Sequence, residues 1–324
     1  MTHLIILKLI NNYKVLKINK EHIKKNQKLI LFLKGIAMGV ANIIPGVSGG
    51  TIALVTNIYE RLINALKKFD LTAIKLLLSM EFKKFANHTD LIFLTWLFSG
   101  SLFGVFSVAK LFEYMFKFYP IMIWSFFFGL ILASVYFIGK KINNWNIYNF
   151  IIFIIGAIVA TSLLFLEPAN ENDNLLFIIL CGIIGVSGMM LPGLSGSFIL
   201  ILMGNYELIL VSAISEFNYV ILSFFVIGSV LGLVIFSHII AHLLKKYKDQ
   251  TLSILTGFIS GSLLIVWPWK KIKSSDISID NKDNLLAYSW SLPENLNLES
   301  LFSICLIFFG FLIVYLLENI DKGK

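Results

Sequence analysis

The chain is dominated by long apolar runs, near residues 31–58, 91–112, 120–139, 148–166, 175–206, 218–244, 251–268 and 300–317. A helix needs roughly 18–20 apolar residues to cross a hydrocarbon core of about 30 Å, and soluble helices seldom stay apolar for that distance. Only 14% of the 324 residues are charged, against 57% hydrophobic. The mean hydropathy is +0.83. A soluble domain of this length would carry far more charge. The expected fold class is all-α integral membrane.

Two of the runs are broken. Pro45-Gly46-Val47-Ser48-Gly49 lies inside 31–58, and Pro192-Gly193-Leu194-Ser195-Gly196 lies inside 175–206. Proline removes a backbone donor and stops a helix, and glycine permits a non-helical turn. Such backbone is tolerated at membrane depth only where protein or a wet cavity satisfies it. Charge indicates how these segments lie. Lys14 to Lys28 precede the first and Arg61 to Lys84 follow it, so both flanks are expected on the cytoplasmic side. The segment then reads as a re-entrant hairpin. Acidic residues flank the second, Glu167, Glu171 and Asp173 before and Glu207 and Glu216 after, and it reads as a hairpin from the outer face. The six other runs read as spans that alternate, with both termini inside. Lys270, Lys271 and Lys273 fall outside, an exception to the charge rule. A model in which the broken segments cross fully would place a lysine-rich flank outside.

The halves repeat. Gly35–Glu60 aligns without gaps on Gly182–Glu207, Gly100-Ser101-x-x-Gly104 on Gly228-Ser229-x-x-Gly232, and Gly129 with Ser134 on Gly257 with Ser262. Each half has one hairpin and three spans, an odd number, so the second is inverted relative to the first. The expected division is a basic arm (1–28), a first repeat (29–168), a second repeat (169–318) and a short tail (319–324). Inverted repeats with discontinuous helices mark secondary transporters, whose sites lie near the midplane.

The arm Thr51–Glu60 would span about 15 Å at 1.5 Å per residue, which puts the Pro45–Gly50 turn near the midplane. Its free N–H groups and positive dipole end point there, with Ser48 and Thr51 adding hydroxyls. Ser195, Gly196 and Ser197 offer the same from the other face. Two such ends suit an anion, phosphate in particular. The competing explanation is that the glycines serve packing alone. Arg61 is the sole arginine and reads either as a bidentate phosphate ligand or as a cytoplasmic anchor. Glu60 and Glu207 occupy equivalent positions and are candidates for coupling to protons or sodium. Lys34 and Asn42 lie in the first arm, within reach of a headgroup. His238 and His242 share a helix face but lack a third ligand, so no metal site is expected. No disulfide is expected from Cys181 and Cys305. No nucleic-acid partner is needed to account for the net charge of +8.

The runs GIAMGVANIIPGVSGGTIALVTNIYERLI and GVSGMMLPGLSGSFILILMGNYELI resemble the bacterial polyprenyl-phosphate transporter family. The resemblance covers nearly the whole chain. It implies a flippase of the cytoplasmic membrane that returns undecaprenyl phosphate, the lipid carrier of cell-wall precursors, from the outer to the cytoplasmic leaflet. It implies no catalytic residue and no cofactor. The substrate-site positions it carries over are Asn42, Pro45, Gly46, Ser48, Gly49, Gly50, Thr51, Arg61, Pro192, Gly193, Ser195, Gly196 and Ser197, with Glu60 and Glu207 beside them. The residues alone leave open a polyprenyl-pyrophosphate phosphatase or a small-anion transporter or channel. The phosphatase would need acid–base groups in the membrane segments.

Overall fold

The computed structural model describes residues 27–42, 48–272, 288–293 and 297–322. The basic arm before residue 27, with Pro45 and Gly46, lies outside the described residues. The first half runs α1 (27–42), α2 (Gly49–Val55), α3 (Tyr59–Lys67), α4 (Leu71–Leu78), α5 (Phe82–His88), α6 (Leu91–Phe118), α7 (Pro120–Gly139) and α8 (Ile147–Ser162). The second runs α9 (Leu175–Met190), α10 (Gly196–Leu202), a π-helical segment Glu207–Ser212, α11 (Ala213–Ser215), α12 (Tyr219–Lys246), α13 (Lys248–Ser262) and α14 (Leu298–Lys322). A two-stranded antiparallel hairpin, β1 (Lys270–Ile272) with β2 (Tyr288–Trp290), precedes α14.

Among the described residues five helices are long and apolar enough to cross a membrane: Leu91–Phe118, Pro120–Gly139, Ile147–Phe165, Tyr219–Lys246 and Leu298–Glu318. The sixth expected span, 251–268, is instead the 15-residue α13. Its first turn carries Lys248, Asp249 and Gln250, and Pro268 follows shortly after its end. Leu252, Leu255, Thr256 and Ile259 are buried, so α13 is enclosed by protein and needs little lipid-facing apolar surface. The long helices carry the opposite signature. Leu102, Phe103 and Phe106 on α6, Ile151, Ile154 and Ile158 on α8, and Phe308, Phe309 and Leu312 on α14 are all exposed. An apolar surface of that extent belongs against lipid.

Glycines set the crossings. A methyl group on Gly100 of α6 would collide with the Phe32 carbonyl of α1, and one on Gly104 with the Ile36 backbone. The second half makes the corresponding contacts, Gly228 of α12 on Ile179 and Gly232 on Ile183 of α9. The outer pairs exchange partners between halves. In one crossing Gly129 of α7 meets Ile307 of α14 and Gly310 meets Phe126. In the other, Gly257 of α13 meets Phe153 of α8 and Gly156 meets Ile254. The middle one of each half's last three helices is thus packed on the other half's last helix. Small residues allow this approach because no Cβ stands between the backbones.

Lys270, which breaks the charge rule, is held within the structure. Its ammonium lies 3.9 Å from the Trp124 ring centroid and donates to the Ile265 carbonyl at 2.6 Å. Burial pushes it down to about 8.

Candidate functional site

Helices α2 and α10 are the second arms of the two broken segments, and each has seven residues. Both end in the same turn. Asn57 (φ 57°) and Gly204 (φ 74°) take the left-handed conformation, which Asn and Gly adopt most readily. Ile58 N bonds to Ala53 O in one and Asn205 N to Leu200 O in the other.

The N-terminal ends differ. Ser48 caps α2: its Oγ accepts from Gly50 N at 3.0 Å and donates to Leu191 O at 3.2 Å. Asn42 Oδ1 accepts from Gly49 N at 2.7 Å. Thr51 Oγ1 accepts from Gly193 N at 3.1 Å, and the Tyr59 hydroxyl donates to Met190 O at 3.1 Å. Three side chains of the first half, Ser48, Thr51 and Tyr59, therefore bond the backbone of 190–193, while Asn42 and Ser48 hold the first N–H groups of α2. Glycine is required at two points. Gly193 has φ +86° and abuts the Phe258 backbone, and a Cβ on Gly50 would sit 3.0 Å from Met190 O. At α10, Ser195 makes no side-chain cap; its hydroxyl lies 2.7 Å from that of Ser197.

In front of α10 is a cavity of about 290 Å³. Asn42, Ser195, Gly196 and Ser197 give it polar walls, and Val186, Met189, Leu194, Leu200, Leu210 and Phe225 give it apolar ones. Residues from both halves therefore meet there. The polar donors are neutral: an amide, two hydroxyls and backbone N–H groups. The apolar wall includes Leu210 of the π-helical segment, a type of helix irregularity often found at functional sites.

Lysines act at the other end of α2. Lys141 Nζ donates to Leu54 O at 2.7 Å and to Asn57 Oδ1 at 2.6 Å, and Lys34 Nζ donates to Thr56 O at 2.7 Å. Lys34 therefore serves the C-terminus of α2. Two cations at the negative end of the helix stabilise it and fix its direction. Lys141→Gln is expected to cost about 1 kcal/mol of stability, since a cation at a partly buried helix end contributes roughly 0.3–2 kcal/mol. Thermal unfolding in detergent measures it, and Lys141→Arg should recover most of the loss. The sequence marks Lys141 only as a cytoplasmic charge; its contact with α2, far off in the chain, carries no local signal.

Arg61 is held by Asp90 through a fork, Nε to Oδ2 at 2.7 Å and Nη2 to Oδ1 at 3.1 Å. Its guanidinium lies 4.3 Å from the Phe93 ring centroid. Glu60 pairs with Lys248 at 2.7 Å. Arg61, Glu60 and Glu207 are exposed and do not line the cavity. The structure brings Asn42, Ser195, Gly196 and Ser197 together; Ser48, Gly50, Thr51 and Gly193 form the closed contact beside them, with Gly49 at the head of α2.

The fold and cavity define a polytopic membrane protein with an amphipathic internal site fed by both halves. Residues 38–283 match the VCA0040-like family, described as undecaprenyl phosphate translocase-like, and the chain belongs to that family. It is 40% identical over 246 residues to a polyprenyl-phosphate transporter of Vibrio cholerae, covering 76% of this chain and 80% of that protein. It is 30% identical over 259 residues to a polyprenyl-phosphate transporter of Staphylococcus aureus, covering 74% and 87%. Both relatives are named as transporters, not as enzymes. No solved structure matches.

Proposed function

We propose that this protein moves undecaprenyl phosphate from the outer to the cytoplasmic leaflet, with the phosphate held where the tips of two re-entrant hairpins meet. The observation that carries this reading is the cavity in which Asn42 of α1 faces Ser195, Gly196 and Ser197 at the tip of α10, beside an apolar wall. A lipid phosphate has both characters. Its isoprenoid tail can remain in the bilayer, but its headgroup cannot cross unaided. Even one charged side chain at the bilayer centre costs from about 2.5 to more than 10 kcal/mol. Neutral donors fixed in place lower that cost without filling the path with counter-charge.

The broken segments 31–58 and 175–206 are read as hairpins entering from the cytoplasmic and outer faces, in repeats 29–168 and 169–318 that are inverted in the bilayer. Two observations support the repeat. The glycine crossings α1–α6 and α9–α12 use aligned residues, and α2 and α10 end in the same left-handed turn. The charge pattern supports the orientation, with both termini cytoplasmic. A coupling role for Glu60 or Glu207 would act through the position of α3 or the π-helical segment, since neither carboxylate faces the cavity.

The test is transport of a fluorescent polyprenyl phosphate between leaflets of proteoliposomes, comparing the natural protein with Ser195→Ala/Ser197→Ala. Transport that falls at least about tenfold in the double variant is expected, since a hydrogen bond to a charged group contributes roughly 1.5–3 kcal/mol. Absence of transport by folded natural protein, with or without proton and sodium gradients, would overturn the reading. Phosphate release from the pyrophosphorylated lipid would replace it with a hydrolase.

A further inference from the structure

Between α3 and α6 the chain forms a short helical layer that exposes apolar side chains among lysines. Leu71 is 77% exposed, Ile74 53% and Leu78 79%, and Met80 and Phe82 add exposed apolar groups at the following turn. Residues 67–84 carry five lysines, Lys67, Lys68, Lys75, Lys83 and Lys84, against two acids, Asp70 and Glu81, a net charge of +3. Both acids are engaged inside the layer. Asp70 caps α4 at Ala73 N and lies 3.1 Å from His88 Nε2, and Glu81 pairs with Lys84 at 2.7 Å.

Helix α4 has three distinct sides. At about 3.6 residues per turn, Leu71, Ile74 and Leu78 fall on one, Thr72, Lys75 and Ser79 on a second, and Ala73 on a third. Ala73 is buried and faces protein, whereas the other six are exposed. The Phe69 and Phe85 rings meet edge to face at 6.2 Å, and with the Asp70–His88 pair they tie α5 to the start of α4. The apolar side is thus held outward by the packing behind it.

The level of this side follows from α6. That helix is long and apolar enough to cross the membrane, and only Thr89 and Asp90 separate it from α5. Ile92, in its first turn, is already exposed. Helices of eight and seven residues extend about 12 Å at most, far short of a hydrocarbon core of about 30 Å. Helices α4 and α5 therefore neither cross the bilayer nor lie far from its surface. An apolar side bordered by lysines at that level matches a leaflet that is apolar below and negatively charged above.

We propose that α4 and α5 lie in the plane of the membrane surface, with Leu71, Ile74 and Leu78 inserted in the leaflet and Lys75 and Lys83 on the phosphates of anionic phospholipids. The leaflet is the cytoplasmic one by the orientation given above. The contact is independent of the transported lipid. It fixes the level of α3, and of α2 before it, relative to the bilayer.

The test uses the full chain with Cys181→Ala and Cys305→Ser as background, and Leu78→Cys or Thr72→Cys added singly and labelled with a polarity-sensitive fluorophore. The protein is placed in vesicles of phosphatidylcholine and phosphatidylglycerol. Two quenchers are compared, aqueous acrylamide and a phospholipid carrying a nitroxide close to its headgroup. The label at Leu78→Cys should be quenched by the lipid nitroxide and shielded from acrylamide, and the label at Thr72→Cys should show the reverse. Nitroxide phosphatidylglycerol should quench Leu78→Cys more than the same amount of nitroxide phosphatidylcholine. Lys75→Gln/Lys83→Gln should remove that preference, since one lysine near an anionic surface corresponds to about fivefold in binding. Equal acrylamide quenching at Leu78→Cys and Thr72→Cys would overturn the proposal, because the apolar side would then face water. Shielding of Leu78→Cys from both quenchers would overturn it in favour of cover by protein, and a disulfide between two Leu78→Cys chains would identify that cover as a second copy. Equal quenching by the two nitroxide lipids would overturn the contact with anionic lipid. Polyprenyl-phosphate transport, followed in the same vesicles, tests the transport reading separately.

Discussion

Asn42→Leu is expected to slow polyprenyl-phosphate transport by roughly ten- to a hundredfold, the equivalent of losing about 1.5–3 kcal/mol of hydrogen bonding to a charged group. The Asn42 side chain works in two directions. Its Oδ1 takes the Gly49 N–H at 2.7 Å, and the residue lines the cavity together with Ser195 and Ser197. With Oδ1 so placed, the amide NH2 is left as the donor for a headgroup oxygen. Leucine matches asparagine in size but removes both functions. A second variant separates them. Asn42→Asp keeps an acceptor for Gly49 N, and Asp caps helices as well as Asn. It also sets a carboxylate against the phosphate. If Asn42 contacts the headgroup, Asn42→Asp should be at least as poor in transport as Asn42→Leu while melting close to the natural protein. Full transport by Asn42→Asp would reduce Asn42 to a cap of α2 and remove it from the site. Initial transport rates and thermal unfolding, measured on the same preparations, supply both readouts.

The parts of this protein that face lipid were legible in its sequence, and those that face only protein were not. Helices α6, α8, α12 and α14 announce themselves because every side must be apolar where lipid is the solvent. Helix α13 is legible as an apolar run but reads as a full span, 251–268, because the sequence does not show that protein encloses it and tolerates polar residues at its start. The connection between α3 and α6 shows the same limit. It holds α4 and α5, short helices that expose Leu71, Leu78, Met80 and Phe82. The sequence shows this stretch as a lysine-bearing loop only. At the candidate site, repetition set the two Pro-Gly-x-Ser-Gly patterns in matching positions. It did not show that Ser48 is bonded to the backbone of 190–193 while Ser195 lines a cavity, because an aligned pair of motifs is symmetric by construction. That difference comes from contacts between distant segments, such as Thr51 with Gly193 and Tyr59 with Met190. Arg61 is a milder case. A lone arginine beside a phosphate motif suggested either a ligand or a cytoplasmic anchor, and Asp90 and Phe93 contact its guanidinium. Nothing local singled out Asp90, since Asp70 and Glu81 lie in the same flank.

Gly129→Ala is expected to damage folding more than most single methyl groups would, and the reason lies in how the halves interlock. At Gly129 a Cβ would collide with the backbone carbonyl of Ile307 in α14. A side-chain obstacle could rotate aside; a carbonyl inside a helix cannot, so α7 and α14 must separate or shift. Overpacking of that kind costs about 1–3 kcal/mol. The crossing also joins the middle long helix of one half to the last helix of the other, so loosening it affects both repeats. Helix α7 supplies its own control. At Gly139 the nearest atoms to an added Cβ are side-chain carbons of Trp145 at 3.5 Å and Thr256 at 3.8 Å, ordinary contact distances. Gly139→Ala should therefore melt within about 0.5 kcal/mol of the natural protein, or slightly above it, since alanine favours a helix over glycine by up to about 1 kcal/mol. Gly257→Ala, on the matching α13–α8 crossing, should behave like Gly129→Ala, because its Cβ meets the Phe153 carbonyl. Thermal unfolding of the three variants in one detergent makes the comparison. Equal melting of Gly129→Ala and Gly139→Ala would mean that α7 and α14 are not in backbone contact. The exchange of partners between the halves would then lose its physical basis.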